Sequence, residues 1–336
     1  VILNGKAALV TGAGRGLGRA HAIALAAAGA RVMVNDLGGS PAGEGKDASP
    51  AQAVVDAIQA AGGTAIADAS DVSSWQEAAR LVENTVERFG RLDILVNNAG
   101  ICRPTAFGSL TELDWDRVMD VNAKGMAALI EAATRHWRAK GPQPGRAIVN
   151  TASPAGAHPK FPLGIYGVSK AAVLALTQVA AEELAPFGVR VNGLAPVART
   201  RMVTAAMAGR AVDPARIMPC DPAYDLFEPD HVARLVLYLV SPLCRFTGRL
   251  FGVRADDIYI YNEWDARHHV GNRNQPWNLQ SLATALAALP LQERLHLVGP
   301  SGSHPVPWPS DETLTQLQDV TEAPCGSPQR QRFPQG

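Results

Sequence analysis

The sequence predicts an α/β domain built on a doubly wound parallel sheet of about seven strands, and three observations lead there. Short apolar runs alternate with longer helical patterns through roughly the first 200 residues. The runs are nearly continuously apolar, as expected where helices cover both faces of a sheet. A glycine-rich turn joins the first run to the first helical pattern. Repeated β-α alternation implies parallel strands joined by crossovers.

The strands are predicted at Ala7 to Thr11, Arg31 to Asp36, Thr64 to Ala67, Leu92 to Asn97, Arg146 to Thr151 and Arg190 to Ala195, with a last short one at Leu250 to Arg254. Between them lies an alanine-rich helix, Leu17 to Ala28. A second, Ala51 to Ala61, follows Ser49 and Pro50, which read as N-cap and first-turn proline. Ser74 with Glu77 three residues on forms a capping-box pattern ahead of a helix from Trp75 to Phe89. Longer helices are expected over Glu112 to Ala139 and from about Tyr166 to Pro186, then shorter ones over Thr200 to Ala208 and Pro229 to Val240. Residues 211–227 are proline-spotted and irregular. The domain is expected to span residues 1–254. Residues 255–298 read as an extension packed on it, with a helix from Leu279 to Leu289. Residues 299–336 read as a proline-rich, poorly ordered tail.

Composition narrows the function. Of 336 residues 47% are hydrophobic, enough for a large core and far from a disordered chain. The 31 basic and 31 acidic side chains cancel, so no basic field invites nucleic acid or an anionic membrane as main partner. No uninterrupted apolar stretch approaches 18 residues, so no membrane span is expected. The opening VILNGKAALV has no basic n-region or cleavage site, so no secretion signal is expected. Cys102, Cys220, Cys244 and Cys325 are widely spaced with no CxxC pair. That argues against a disulfide framework or zinc site and suggests a reducing, cytoplasmic setting. The adjacent His268 and His269 point opposite ways in an extended segment and suggest no metal site.

The glycine turn runs Thr11-Gly12-Ala13-Gly14-Arg15-Gly16-Leu17-Gly18, after a strand and opening a helix. Glycines let the backbone approach a phosphate, and a helix N-terminus offers free N–H groups to it. This context predicts dinucleotide binding. Asp36 ends the second strand, 18 residues after Gly18. A carboxylate there accepts from a ribose 2′-hydroxyl and repels a 2′-phosphate, which favours NAD over NADP. Arg15, inside the loop, pulls the other way because it suits a 2′-phosphate.

Tyr166 and Lys170 stand at i and i+4 and share a helix face. A free tyrosine has a pKa near 10 and is a poor base at neutral pH. A cation about 4 Å away, at an effective dielectric of about 20, contributes roughly 4 kcal/mol of attraction to phenolate. That is up to about 3 pKa units, which would bring the phenol near working pH. Ser153, in the loop after a strand, is placed to hydrogen-bond a substrate oxygen.

Together with Asp71-Val72, Asn97-Asn98-Ala99-Gly100 and Asn122, the glycine turn, Ser153 and the Tyr166-Gly-Val-Ser-Lys170 stretch stand in an order that resembles the short-chain dehydrogenase/reductase family, over residues 3 to about 254. The Val34-Asn-Asp-Leu-Gly-Gly39 stretch, its long Gly- and Lys-rich continuation and Arg199-Thr-Arg-Met202 look like the hydroxyacyl-CoA dehydrogenase part of peroxisomal multifunctional enzyme type 2 and its bacterial relatives. The resemblance implies a Rossmann-like fold. It implies proton transfer by Tyr166, tuning and ribose binding by Lys170, carbonyl polarisation by Ser153, and a water held by Asn122 between Lys170 and solvent. It implies NAD along Gly12, Gly14, Arg15, Gly16, Leu17 and Gly18, with Asp36 on the ribose and Asp71 and Val72 at the adenine. Asn98, Ala99 and Gly100 would line the trough, with Pro196 and Thr200 at the nicotinamide. Two departures weaken the carry-over: Val197 follows Pro196 where the family has glycine, and Ala255-Asp256-Asp257 replaces its Asp-Gly-Gly.

The expected activity is NAD-dependent interconversion of a secondary alcohol and a ketone. The substrate is expected to be bulky and apolar, a 3-hydroxyacyl thioester, steroid or polyketide-like compound. The rivals are a redox-neutral, NAD-retaining enzyme such as an epimerase, and a non-catalytic dinucleotide-binding regulator. Residues 154–163 and 200–230 are expected to wall the substrate pocket, with Phe161, Leu163, Met202, Met207 and Met218 as apolar candidates. The resemblance also implies a homodimer or tetramer, paired through the helices over 112–139 and 166–186.

Overall fold

The computed structural model describes residues 2–158, 163–207, 218, 220, 225–255, 257–261 and Thr284. Its strands are β1 (Ala7–Thr11), β2 (Arg31–Asn35), β3 (Thr64–Asp68), β4 (Ile94–Asn97), β5 (Arg146–Thr151), β6 (Val189–Pro196), β7 (Leu250–Arg254) and β8 (Asp257–Ile260). They form one sheet in the order β3-β2-β1-β4-β5-β6-β7-β8. The first seven run parallel. β8 folds back antiparallel on β7.

β8 adds an eighth, antiparallel edge strand, past residue 254, to the about seven strands expected. Two local facts hid it. The turn uses Ala255 at φ 55, where a glycine or asparagine would have signalled a hairpin. All four β8 residues are exposed, so no burial pattern marks the strand. The free edge of β7 alone recruits it. Residues 1–265 form one unit and residues 266–336 a second, of which Thr284 alone is described. The expected helix from Leu279, the packing of the extension and the proline-rich tail lie outside the described residues.

The helices are α1 (Gly16–Ala27), α2 (Ser49–Ala60), α3 (Trp75–Phe89), α4 (Glu112–Met119), α5 (Gly125–Lys140), α6 (Pro154–Ala157), α7 (Gly164–Leu184), α8 (Arg201–Met207) and α9 (Pro229–Val240). Side chains alternate along each strand and bury on both sides. Ala8, Val10, Val32 and Val149 pack with α1, α2 and α9, while Ala7, Leu9, Met33 and Ile148 pack with α3, α5 and α7. All five β1 residues are buried, which explains the unbroken apolar run. Each fully buried Leu or Val contributes about 1.5–3 kcal/mol.

Three local readings change. α2 starts at Ser49 itself, capped from outside by Asp47, whose carboxylate accepts from the Ser49 N–H at 2.9 Å. Ser74 caps α3 as expected, accepting from the Glu77 N–H at 3.3 Å, but Glu77 sends its carboxylate to the Asp71 N–H at 2.8 Å. The long helix expected over Glu112 to Ala139 is interrupted by a π-helical turn at Asp120–Lys124. Such turns mark places where a helix re-aims a side chain.

α7 with its 3₁₀ end, Gly164–Phe187, is long and apolar enough to cross a membrane by length and composition. Here it is a core helix, with Ser169, Lys170, Val173 and Thr177 buried. The strand order reverses between β1 and β4, and loops leaving their C-terminal ends open a crevice there.

Candidate active site

One cavity of about 1160 Å³ follows that crevice. The glycine turn and Asp36 line one end, and Ser153, Tyr166 and Lys170 line the other. Asp71, Val72, Asn98, Ala99, Gly100, Pro196 and Thr200 line the stretch between.

At the first end the backbone is set by close approach. A Cβ on Gly12 would stand 2.8 Å from Ala99 Cα, and one on Gly14 would stand 2.8 Å from Asp36 Oδ2. The Asp36 carboxylate accepts from the Gly14 N–H at 2.7 Å and from the Gly38 N–H at 2.6 Å. Arg15 Nη1 donates to the Gly38 carbonyl at 3.4 Å, and its guanidinium is 3.7 Å from Asp47. Thr11 Oγ1 accepts from the N–H groups of Asn98 and Ala99, both at 3.1 Å. Asn98 Nδ2 donates back to the carbonyls of Thr11 at 3.0 Å and Gly12 at 3.1 Å. These bonds clamp the β1 and β4 loops together. No side chain caps α1, so its first-turn N–H groups meet the cavity. A glycine-rich turn leading into a helix N-terminus that no side chain caps fits the pyrophosphate of a dinucleotide. Gly16 and Leu17 line the same wall, and Gly18 packs against the Gly12 carbonyl. Ser73 donates to Asp71 through N–H at 3.0 Å and hydroxyl at 2.6 Å, fixing that carboxylate at the rim.

At the other end Ser153 is the N-cap of α6, and its Oγ accepts from the Ala155 N–H at 3.1 Å. α6 sits directly on α7 because Gly156 has no side chain: a Cβ there would meet the Lys170 backbone at 2.6 Å. Lys170 Nζ donates to the Thr151 carbonyl at 2.7 Å and lies 5.7 Å from the centre of the Tyr166 ring. Burial draws the Lys170 ammonium down to about 8. Burial also pushes the Tyr166 phenol up to about 12, while its hydrogen bond with Ser153 works in the opposite direction. Burial is the larger influence on the phenol in this fold, and the Lys170 ammonium is seated on the Thr151 carbonyl.

Asn122, in the π turn, is fully buried. Its Oδ1 accepts from the Ile101 N–H at 2.8 Å. Its Nδ2 donates to the Ile101 carbonyl at 2.9 Å and to Ser169 Oγ at 3.0 Å. The side chain thus ties the loop after β4 to α7.

The model of the family described as short chain dehydrogenase matches residues 6–211. The chain belongs to that family. It is 39% identical over 250 residues to peroxisomal multifunctional enzyme A of Dictyostelium discoideum, a match covering 74% of this chain and 53% of that protein. The chain therefore spans about half the length of that relative. A hydroxyacyl-CoA dehydrogenase of Mycobacterium tuberculosis is 36% identical over 295 residues, 84% of this chain and 88% of that one. A short chain dehydrogenase structure from Mycobacterium avium superimposes with a TM-score of 0.73 at 37% identity, covering 85% of this chain and 95% of that chain. A 7α-hydroxysteroid dehydrogenase with NADH and 7-oxo glycochenodeoxycholic acid gives 0.66 at 31% identity, covering 76% and 94%. A Burkholderia cenocepacia short chain dehydrogenase with NADP gives 0.64 at 35% identity, covering 75% and 98%. The family binds nicotinamide dinucleotides and acts on hydroxyl groups.

In this short chain dehydrogenase Thr200 lines the cavity beside Gly16, and its Oγ1 accepts from the Val203 N–H at 3.3 Å, which starts α8. Leu163 and Met202 line the cavity, and Met218 is buried. Phe161 and the Met207 side chain lie outside the described residues. Sequence reading missed Arg103, which lines the cavity beside the loop after β4, and Ser169, which holds Asn122 from α7. It also missed Thr11 as a clamp, although a threonine closing β1 ahead of the glycine turn was a visible signal.

Proposed function

We propose that the chain is an NAD-dependent oxidoreductase that interconverts a bulky secondary alcohol, such as a 3-hydroxyacyl thioester, and its ketone. One observation carries the reading: Ser153, Tyr166 and Lys170 line the same cavity as the glycine turn and Asp36. When bound, the nicotinamide supplies the carbon that accepts or gives the hydride.

The chain's own groups handle the proton. Ser153 Oγ accepts from the Ala155 N–H beside the Tyr166 phenol, and its single O–H remains to donate to the substrate oxygen. On reduction Tyr166 gives its phenolic proton to the substrate oxygen and becomes phenolate; on oxidation the phenolate takes the substrate's hydroxyl proton. Lys170 supplies positive charge beside the developing phenolate from a fixed seat on Thr151. The Asp36 carboxylate disfavours a 2′-phosphate and supports NAD over NADP. Ile101, Leu113, Leu163 and Met202 give the cavity an apolar portion suited to an acyl or steroid skeleton. Exposed Leu113 and Trp115 on α4 and Val168 and Val179 on α7 support a homodimer, which light scattering would read as twice the chain mass.

The test is NADH production from a panel of 3-hydroxyacyl thioesters and hydroxysteroids. Tyr166→Phe is expected to lower turnover by about 10³-fold or more, with NADH affinity within about twofold. Retained turnover sinks the assignment. Tight NAD binding with no net absorbance change on any substrate favours the redox-neutral or regulatory alternative.

A further inference from the structure

Residues 37–47 leave β2 after Asp36 and return to α2 as a loop closed on itself. The Asp47 N–H donates to the Leu37 carbonyl across the neck at 2.9 Å, and the Ser40 N–H donates to the Glu44 carbonyl at 2.8 Å near the tip. Four of its eleven residues are glycine, at 38, 39, 43 and 45, so ordering it is entropically expensive. Yet this loop forms a wall of the cavity, with Leu37, Gly39, Gly43 and Lys46 among the lining residues.

The segment after β4 holds it. Arg103 Nε donates to the Ala42 carbonyl at 2.9 Å, Nη1 donates to Asp114 at 2.9 Å, and Nη2 is 3.5 Å from the Glu44 carboxylate. The Cys102 N–H donates to the Pro41 carbonyl at 2.9 Å. Gly43 passes Ile101 so closely that a Cβ would stand 2.9 Å from its Cδ1. The Arg103 side chain is 17% exposed and its planar fork bridges a carbonyl and a carboxylate that face it from different elements. Asp114 is in the first turn of α4 and is itself held by Thr111 at 2.7 Å.

We infer that Arg103 is a positioning residue for dinucleotide binding: it latches the 37–47 loop to α4 so that this wall of the trough stands preformed. The inference rests on the dinucleotide-binding reading above. Without the latch the loop must be ordered at the moment of binding, which weakens affinity while leaving Tyr166 untouched.

NADH and NADPH are titrated by fluorescence into wild type, Arg103→Gln, Arg103→Lys and Asp114→Asn. Arg103→Gln is expected to weaken the preferred dinucleotide about tenfold. The KM for the dinucleotide rises in step, while kcat falls less than about twofold. Arg103→Lys recovers only part, because one ammonium cannot span both partners. Asp114→Asn keeps Arg103 and loosens only the far anchor, so a smaller change in the same direction guards against a misfolded Arg103→Gln protein. Tryptic cleavage after the exposed Lys46 speeds up in Arg103→Gln, and NADH protects it less. Equal affinities and equal Lys46 cleavage, in a wild type that binds NADH or NADPH, overturn the latch and leave the dinucleotide reading standing. A wild type that binds neither overturns both.

Discussion

The two ends of the cavity are built by opposite means. At the Asp36 end a half-buried carboxylate is held by the N–H groups of Gly14 and Gly38, and the turn's shape comes from missing side chains. At the Tyr166 end the polar groups come from a core helix pressed on the sheet, and burial sets their charge: Lys170 is drawn down to about 8 and Tyr166 pushed up to about 12. Recognition rests on a preset backbone. At the Tyr166 end desolvation perturbs charge and carries a stability cost.

The largest expected effect that breaks or sharpens this contrast is at Lys170. Lys170→Met should lower kcat by at least about 10²-fold and yet stabilise the fold. The folded site favours the neutral amine, with a value of about 8 against the ordinary 10.5. Charge therefore opposes folding fully below pH 8, and the penalty fades as pH rises towards 10.5. By linkage the penalty approaches about 3 kcal/mol at pH 7, of which about 2 should be recovered after the Thr151 hydrogen bond is lost. Urea unfolding at pH 7 and pH 10 reads it; a variant less stable than wild type at pH 7 breaks the contrast.

Asp36→Ala comes next. The ratio of kcat/KM for NAD to that for NADP should fall by about 10- to 100-fold, because Arg15 then faces a 2′-phosphate without a competing carboxylate. An unchanged ratio moves cofactor choice elsewhere in the 37–47 loop.

The smallest effect at pH 7 is at His21, a buried polar group with no place in the proposed chemistry. It sits on α1, fully buried, and neither ring nitrogen has a partner among the described residues. Burial draws it from 6.5 to about 3. The unfolded chain takes up the proton first, so stability falls as pH drops below 6.5 towards 3, by about 1.4 kcal/mol per unit. His21→Leu should raise stability by about 1 kcal/mol at pH 7 and flatten the acid limb of a thermal-melt series. An unchanged acid limb assigns acid sensitivity to other groups.

The elements legible in the sequence are those whose signal is local. β1, β5, β7 and α9 match residue for residue, because each is an apolar run or an apolar helix face bounded by its own turn residues. The glycine turn and the Tyr166–Lys170 pair were legible for the same reason, since strand–turn–helix context and i, i+4 spacing are read within a few residues. Asn122 was picked out but its partners were not, because they belong to Ile101 and Ser169, 21 and 47 residues away. The π turn that aims it breaks no sequence periodicity strongly enough to be seen.

By itself the sequence determined the β-α alternation, the dinucleotide-type turn and the residues that the cavity brings together. Periodicity, glycine placement and short spacings suffice for those. Only the tertiary structure decided the charges at the site, the edge strand β8 and the grip of Arg103 on a carbonyl 61 residues away. Desolvation depends on what packs from all sides, and strand edges and bridging donors acquire partners only once the chain has closed.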